Sequence, residues 1–202
     1  MATLFSSPSW DAVTYWALDL ETGGMDPKRD PILAVGMLPI RAGRVRLGES
    51  YRTLVRPEDG RPIDPESVRA HQLVWGEVKD APTLAEVLPE VDRRIAEGVL
   101  IVHHRKLDVA FLEDAHRRRG MDWPSPVVVD TVELLLKLAR KDRLRRPELP
   151  GDPPALNLSA ARRRLGLPRY EAHDALTDAL ATAELFLVVR HALGARTLKE
   201  LR

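Results

Sequence analysis

Two acidic residues end an apolar run near the start of the chain. Residues 13–20 (VTYWALDL) are rich in β-branched, aromatic and leucine side chains, which is typical of a buried strand. Asp19 and Glu21 stand two residues apart, so their side chains project from the same face of the predicted sheet. Their repulsion and desolvation are costly unless a cation neutralises them, and oxygen ligands favour a hard divalent ion, Mg²⁺ or Mn²⁺. For this Asp-x-Glu pair alone, a solvated strand end with two unrelated acids is an equally good interpretation.

A glycine-rich turn follows the two acids at once. It consists of Thr22, Gly23 and Gly24, and glycine lets the backbone approach a ligand closely. A third acid, Asp108, lies just beyond a second apolar run (residues 99–102) and near the start of a predicted helix. A carboxylate there can reach the same carboxyl edge of the sheet. The turn and the third acid therefore favour a ligand site over a solvated strand end.

A fourth acid, Asp178, lies on the predicted last helix within the sequence HDALTDA. Small residues surround it, and they permit close packing of that helix against the sheet. His173 precedes Asp178 by five residues, and histidine suits proton transfer because its ordinary pKa of about 6.5 is close to neutral pH. The four acids and this histidine together form a specific constellation, although each residue alone is weak evidence.

The elements that must position these residues alternate along the chain. The periodicity predicts the order β-β-β-α-β-α-β-α-α, with residues 44–55 as the third strand. This order indicates an α/β fold with a five-stranded mixed sheet, helices on both faces and the first strand at the centre. Pro89 is expected to kink or split the first long helix. Residues 141–154, with four prolines and no periodicity, are predicted to be a loop with a basic character.

Length and composition restrict the class of protein. A chain of 202 residues predicts one domain, and 44% hydrophobic with 30% charged residues is typical of a globular protein. The formal charge of +1 means that attraction to polyanions must come from local clusters. The absence of cysteine excludes disulfides, zinc–thiolate sites, iron–sulfur clusters and a thiol nucleophile. No signal peptide or membrane-spanning segment is evident, so we expect a cytoplasmic protein with no membrane partner.

Three segments carry a resemblance to a known family: ALDLETGG at 17–24, VLIVHHRKLDVAFL at 99–112 and HDALTDALATAELF at 173–186. With a weaker stretch at 61–74, the sequence resembles the DEDDh exonucleases of the RNase H-like fold group, which includes the epsilon subunit of bacterial DNA polymerase III and RNase T. The resemblance covers roughly residues 13–190. It implies an exonuclease domain at 13–193, an N-terminal extension at 1–12 and a short C-terminal tail at 194–202.

The resemblance also implies roles for individual residues. By it, two Mg²⁺ or Mn²⁺ ions would be held by Asp19, Glu21, Asp108 and Asp178, and His173 would be the general base. Substrate contacts would come from Thr22, Gly23, Gly24, His71 and His104. This sequence departs from the family pattern at His104, where asparagine is usual, at Leu107, where phenylalanine is usual, and at 72–74, where Gly-Ile-Thr is usual. These departures affect substrate contacts and leave the four acids intact.

The predicted function is a metal-dependent 3′-to-5′ exonuclease that releases nucleoside monophosphates from single-stranded or frayed 3′ ends, with DNA preferred. The sequence does not separate DNA from RNA, so an exoribonuclease that trims short RNA or RNA tails remains an alternative. A non-catalytic nucleic-acid-binding or polymerase-accessory module is an alternative of another class. The short tail gives no support to association with a polymerase.

The third motif can be read in two registers. His173 and Asp178 have the His-x-x-x-x-Asp spacing of the DEDDh group, whereas Tyr170 and Asp174 have the Tyr-x-x-x-Asp spacing of the sister DEDDy group. Asp174 and Asp178 are four residues apart and share a helix face, so periodicity alone does not decide between them. The small residues around Asp178 favour the His173 register, since an acid at the first turn is explained by the positive helix N-terminus alone.

Overall fold

The strand that carries the first two acids lies at the centre of the sheet. A computed structural model describes residues 7–58, 60–145, 153–171 and 173–202 of the chain. The strands are β1 (Tyr15–Thr22), β2 (Ile32–Arg41), β3 (Arg44–Val45), β4 (Tyr51–Leu54), β5 (Val99–Val102) and β6 (Val128–Asp130). Their order is β3-β2-β1-β5-β6, with β4 also paired to β2. The predicted α/β class and the central position of the first strand are confirmed.

Helices cover both faces of this sheet. They are α1 (Pro65–His71), α2 (Trp75–Val78), α3 (Leu84–Ala96), α4 (Arg105–Arg118), α5 (Thr131–Arg145), α6 (Leu158–Arg164) and α7 (Ala175–Leu193). Side chains alternate along β1, so Trp16 and Leu18 pack with α3 and α4, while Tyr15 and Ala17 pack with α5 to α7. Asp19 and Glu21 continue the odd-numbered face, which is the face that α7 covers. The expected helices on both faces are confirmed.

The sheet has six strands, so the expectation of five is wrong. The predicted third strand at 44–55 is divided by a 3₁₀ turn at Leu47–Glu49 into β3 and β4. Both pieces run antiparallel to β2, where β3 pairs with Ile40 and Arg41 and β4 with residues 34–37. The run looks continuous in the sequence because the turn contains a leucine, but Leu47 is exposed and the chain leaves the ladder there.

Two helix boundaries also differ from the predictions. Pro89 does not split its helix, because α3 runs through it with a capping box at Thr83 and a buried apolar stripe on both sides of the proline. The predicted loop from residue 141 begins later, since α5 continues to Arg145. Lys141 reaches from this last turn to the final carbonyls of α7 at Ala192 and Leu193. Residues 146–152 of the predicted basic loop lie outside the described residues.

The two ends of the described chain pair with each other. The backbone of Trp10 donates to Arg196 at 3.0 Å, and that of Leu198 donates to Pro8 at 3.1 Å. Leu201 is buried in the core on the α7 side of the sheet. Among the described residues, no helix has both the length and the apolar character needed to cross a membrane.

Candidate active site

Asp19 and Glu21 lie on the part of β1 that extends past its parallel neighbour. The pairing of β1 with β5 ends at Ala17, whereas its antiparallel pairing with β2 continues through Glu21 to Thr22. Beside both acids, one edge of the strand therefore has no partner strand among the described residues. Open strand ends at the carboxyl edge are where α/β sheets place ligands.

The first turn of α7 brings a third carboxylate to this strand end. Asp174 caps the helix by accepting the backbone N–H of Thr177 at 3.0 Å, and Asp178 follows one turn later. Gly36 of β2 pairs with Asp19, and an added Cβ at Gly36 would overlap the carbonyl group of Ala175. The missing side chain thus lets α7 start directly on the sheet, beside β1.

The three carboxylates form one cluster. One oxygen each of Asp19, Glu21 and Asp178 lies within 4.8 Å of the others. Asp108 is buried in the first turn of α4, and its charge acts on Asp19, although it is not part of the three-residue cluster. The structure therefore brings three of the four predicted acids together and places the fourth next to them.

The protonation of these acids is strongly perturbed. Burial, and then the neighbouring charges of Asp108 and Glu21, raise the pKa of Asp19 well above its ordinary value. Burial is also the main cause that raises the pKa of Glu21 to about 8 and the pKa of Asp108 to about 8. The pKa of Asp178 is raised by burial and partly lowered again by its hydrogen bond from the His173 backbone. Four acids held this way repel each other when charged.

The donor set fits a divalent cation. Glu21 Oε1 is buried and has no hydrogen-bond partner among the described residues, so an acceptor atom is left for a ligand. Closely spaced carboxylate oxygens are the ligands that Mg²⁺ and Mn²⁺ prefer. A bound cation would remove the repulsion within the cluster and satisfy this oxygen.

His173 stands at the entrance to α7 with an exposed side chain. Its backbone has a φ of +71°, a left-handed conformation that is uncommon for residues other than glycine. Its N–H donates to Asp178 Oδ2 at 2.8 Å. Strained backbone of this kind is frequent at functional sites.

The alternative register has other partners. The hydroxyl of Tyr170 donates to Glu184 Oε1 at 3.0 Å. Asp174 accepts hydrogen bonds from Thr177 and forms an ion pair with Arg52 at 2.6 Å. Both side chains are thus engaged within the protein.

Three of the predicted substrate-contact residues, Thr22, Gly23 and Gly24, lie at and directly after the end of β1. Thr22 Oγ1 donates to the Gly24 carbonyl at 2.6 Å, and the Gly23 N–H donates to Pro31 at 2.8 Å. An added Cβ at Gly24 would overlap the Asp30 carboxylate, so this glycine packs closely against the protein itself. A close approach of this backbone to a ligand stays a prediction.

The two predicted contact histidines lie at the ends of different helices. His71 is the last residue of α1, and its side chain lies outside the described part of the structure. His104 is exposed with a φ of +69° and precedes α4 directly. His103, beside it, is buried and bonds to Thr131 at 2.7 Å and to the Leu156 carbonyl at 2.8 Å. The His103 side chain is therefore engaged within the protein, whereas the His104 side chain is accessible from solvent.

Sequence reasoning missed two residues that position the site, Gly36 and Asp130. Asp130 ends β6, and its buried carboxylate accepts the backbone N–H groups of His104, Arg105 and Val132 at 2.9–3.2 Å. It therefore caps α4, which carries Asp108, and also α5. The sequence does carry a signal for each residue. Asp130 is an acid directly before a predicted helix, which is typical of an N-cap. Gly36 is a glycine inside a predicted strand, which often marks a close approach of another backbone.

Comparison with known proteins agrees with this geometry. Residues 16–186 match the RNase T family, whose members are described as exonucleases. The chain belongs to this exonuclease family. The epsilon-like protein of DNA polymerase III from Rhodobacter capsulatus is 34% identical over 191 residues, which are 93% of this chain and 25% of that protein. The epsilon subunit of DNA polymerase III from Escherichia coli is 27% identical over 177 residues, 85% of this chain and 69% of that subunit.

Solved structures show the same RNase H-like fold. E. coli exonuclease I in complex with a dT13 oligonucleotide has a TM-score of 0.75 at 19% identity, over 90% of this chain and 42% of that one. The chain spans only 25% of the R. capsulatus protein and 12% of a PolC-type DNA polymerase III of Thermotoga petrophila. This exonuclease-family domain thus corresponds to one part of several longer relatives.

Proposed function

We propose that this RNase T family member is a metal-dependent 3′-to-5′ exonuclease that releases nucleoside monophosphates from single-stranded or frayed 3′ ends, with DNA preferred. The observation that carries the proposal is the cluster of Asp19, Glu21 and Asp178 within 4.8 Å, with a buried and unpartnered oxygen on Glu21. The preference for single-stranded DNA is supported by a fold relative, E. coli exonuclease I, whose structure was solved with a dT13 oligonucleotide.

In this proposal, the four acids hold divalent cations at the carboxyl end of β1. Asp19, Glu21 and Asp178 would be the direct ligands, and Asp108 would complete the set. Two Mg²⁺ or Mn²⁺ ions there would supply Lewis-acid stabilisation of the phosphate charge and a lowered pKa for the attacking water.

His173 would act as the general base. Its imidazole takes a proton from water, the water oxygen attacks the terminal phosphorus, and the bond from phosphorus to the 3′ oxygen of the preceding nucleotide breaks. The leaving 3′ oxygen then gains a proton. The hydrogen bond from the His173 backbone to Asp178 fixes the two residues relative to each other. Thr22, Gly23, Gly24, His71 and His104 would contact the terminal nucleotide.

The test uses 5′-labelled single-stranded DNA and RNA with Mn²⁺ and with excess chelator. We expect a ladder of products shortened from the 3′ end only when the metal is present. Asp19→Ala should abolish it, whereas Asp122→Ala, which removes an exposed acid outside the cluster, should not. Activity in chelator would contradict the metal requirement, and cutting of circular single strands would contradict the exonuclease polarity. Binding without cleavage would favour a non-catalytic module, and faster RNA cleavage would favour the exoribonuclease.

A further inference from the structure

A cavity of about 200 Å³ lies between α6, the segment that follows it and α7. Asp178 of the carboxylate cluster forms part of its wall, so the cavity begins where the candidate active site ends. Apolar side chains of Leu158 and Leu167 line it as well, together with Arg163 and Arg169. None of the roles proposed above accounts for this cavity.

The buried charges at the base of the cavity neutralise one another. Arg162 is buried and donates to the Ala181 carbonyl at 2.7 Å and to Glu184 Oε2 at 2.7 Å. The other oxygen of Glu184 accepts the Tyr170 hydroxyl. The Arg162 guanidinium also lies 4.6 Å from the centroid of the Tyr170 ring. This group is a satisfied structural unit, so it leaves no charge for a ligand.

Two other arginines line the cavity and, unlike Arg162, are not paired with an acid in the part of the chain that the structure describes. Arg163 and Arg169 are both exposed, and neither side chain has a hydrogen bond or ion pair to another residue of the described ranges. Their neighbour Arg164, by contrast, donates to the Pro153 carbonyl at 2.8 Å. The cavity therefore carries two positive charges against the single negative charge of Asp178, and guanidinium groups match the oxygens of a phosphate.

The size of the cavity limits what can enter it. At about 30 Å³ per water molecule, its volume corresponds to roughly seven waters. Complete small-molecule sites usually measure about 300–1,000 Å³, so the cavity is smaller than the usual site for a whole nucleotide. A phosphate group with its sugar is the part of a nucleic acid that combines the required charge, apolar surface and size.

We propose that this cavity binds a backbone phosphate of the nucleic-acid strand on the 5′ side of the scissile bond, with Arg163 and Arg169 as its ligands. The inference rests on the proposed function, because it assumes that the scissile phosphate lies at the carboxylate cluster. A strand held there continues past Asp178 and places a neighbouring phosphate between the two arginines. Its sugar then packs on the leucine side chains.

The test compares two substrates that differ in this phosphate. A single-stranded oligonucleotide carries it, whereas the p-nitrophenyl ester of thymidine 5′-monophosphate carries only the scissile phosphodiester. The Arg163→Gln/Arg169→Gln variant should lose about tenfold in kcat/KM for the oligonucleotide relative to the ester, mainly through KM. The control Arg44→Gln/Arg46→Gln removes the same charge from exposed positions at the other end of β1 and should keep the parent ratio.

A binding measurement separates this inference from the proposed function. Fluorescence anisotropy in chelator gives the affinity for the same oligonucleotide at several salt concentrations without any cleavage. For single strands each neutralised phosphate contributes about 0.7 to the slope of log K against log salt, so loss of this one phosphate contact should lower the slope of the double variant by about 0.7. An unchanged slope, or equal losses on both substrates, would overturn the inference. Failure of the parent to hydrolyse either substrate would instead contradict the proposed function, and the salt slope would still decide on the cavity.

Discussion

Glu21 should destabilise the metal-free protein at alkaline pH. Burial raises its pKa from an ordinary value of 4.5 to about 8, and Oε1 has no partner among the residues that the structure describes. An acid with a raised pKa in the folded state contributes stability that is complete below its unfolded pKa and is lost as the pH rises through the folded pKa. The free energy of unfolding should therefore fall between about pH 4.5 and pH 8.

The window from pH 6.5 to pH 8 separates this effect from the titration of His103. The pKa of His103 is lowered by burial to about 4, so its opposite contribution, a gain of stability with rising pH, is mostly complete by pH 6.5. One pKa unit is worth about 1.4 kcal/mol, so Glu21 alone should remove about 2 kcal/mol across the window. For a chain of this length that corresponds to a fall of about 4–8 °C in Tm. Asp108, with a pKa of about 8, should add to the fall.

Glu21→Gln is the perturbation that tests this magnitude. The amide has nearly the same shape and no charge, so in chelator the excess of the variant over the parent in free energy of unfolding should grow by about 2 kcal/mol from pH 6.5 to pH 8. It should also gain less stability from Mn²⁺, because the stabilisation by an ion that binds only the folded state grows with the logarithm of its affinity and the variant has lost one carboxylate that binds the ion. Glu113→Gln changes an exposed acid of α4 and serves as the control.

Thermal and denaturant unfolding at pH 6.5 and pH 8, each in chelator and in Mn²⁺, provide the measurements. The reasoning is refuted if metal-free stability stays level or rises across the window. It is equally refuted if the excess of Glu21→Gln over the parent does not grow from pH 6.5 to pH 8, or if Mn²⁺ stabilises the variant as much as the parent.

Three further predictions concern the base, the packing of α7 and the cap of α4. His173→Ala should lower kcat by about 10²- to 10⁴-fold while Tyr170→Phe keeps most activity, and single-turnover rates with the reverse ranking would favour the DEDDy register. Gly36→Ala should destabilise the protein by about 1–3 kcal/mol and weaken Mn²⁺ binding measured by calorimetry; Gly76→Ala, in open space, should do neither. Asp130→Ala should lower the free energy of unfolding by about 1–3 kcal/mol in urea titrations, since three backbone N–H groups lose their acceptor, and a neutral result would contradict its capping role.

The sequence predicts the strand chemistry of the site well because strand geometry is local. A period of two places Asp19 and Glu21 on one face without any knowledge of the rest of the chain. The same reasoning locates Asp178 on the last helix, but it does not show how that helix reaches β1. The approach depends on Gly36 against Ala175, two residues 139 positions apart, and no local pattern reveals which helix a strand glycine will meet.

The errors in the fold have the same origin. Residues 44–55 have strand composition throughout, yet β3 and β4 pair with different parts of β2, and pairing is a property of the partner as well as of the run. Pro89 disfavours a helix locally, but the capping box and the buried stripe of α3 outweigh it. The strand pairing and the buried stripe are tertiary contacts, which the two runs do not reveal by themselves.

The choice between Asp174 and Asp178 shows how the structure adds information that periodicity lacks. Four residues apart on one helix, the two acids are equivalent by pattern. Asp174 Oδ1 accepts from Thr177 and Oδ2 accepts from Arg52, so both of its oxygens have protein partners. Asp178 accepts a hydrogen bond on Oδ2 from His173, and it lies within the cluster that contains Glu21. The oxygens of Asp174 are therefore occupied by the helix cap and by Arg52, whereas Asp178, one turn further on, keeps an oxygen for a cation.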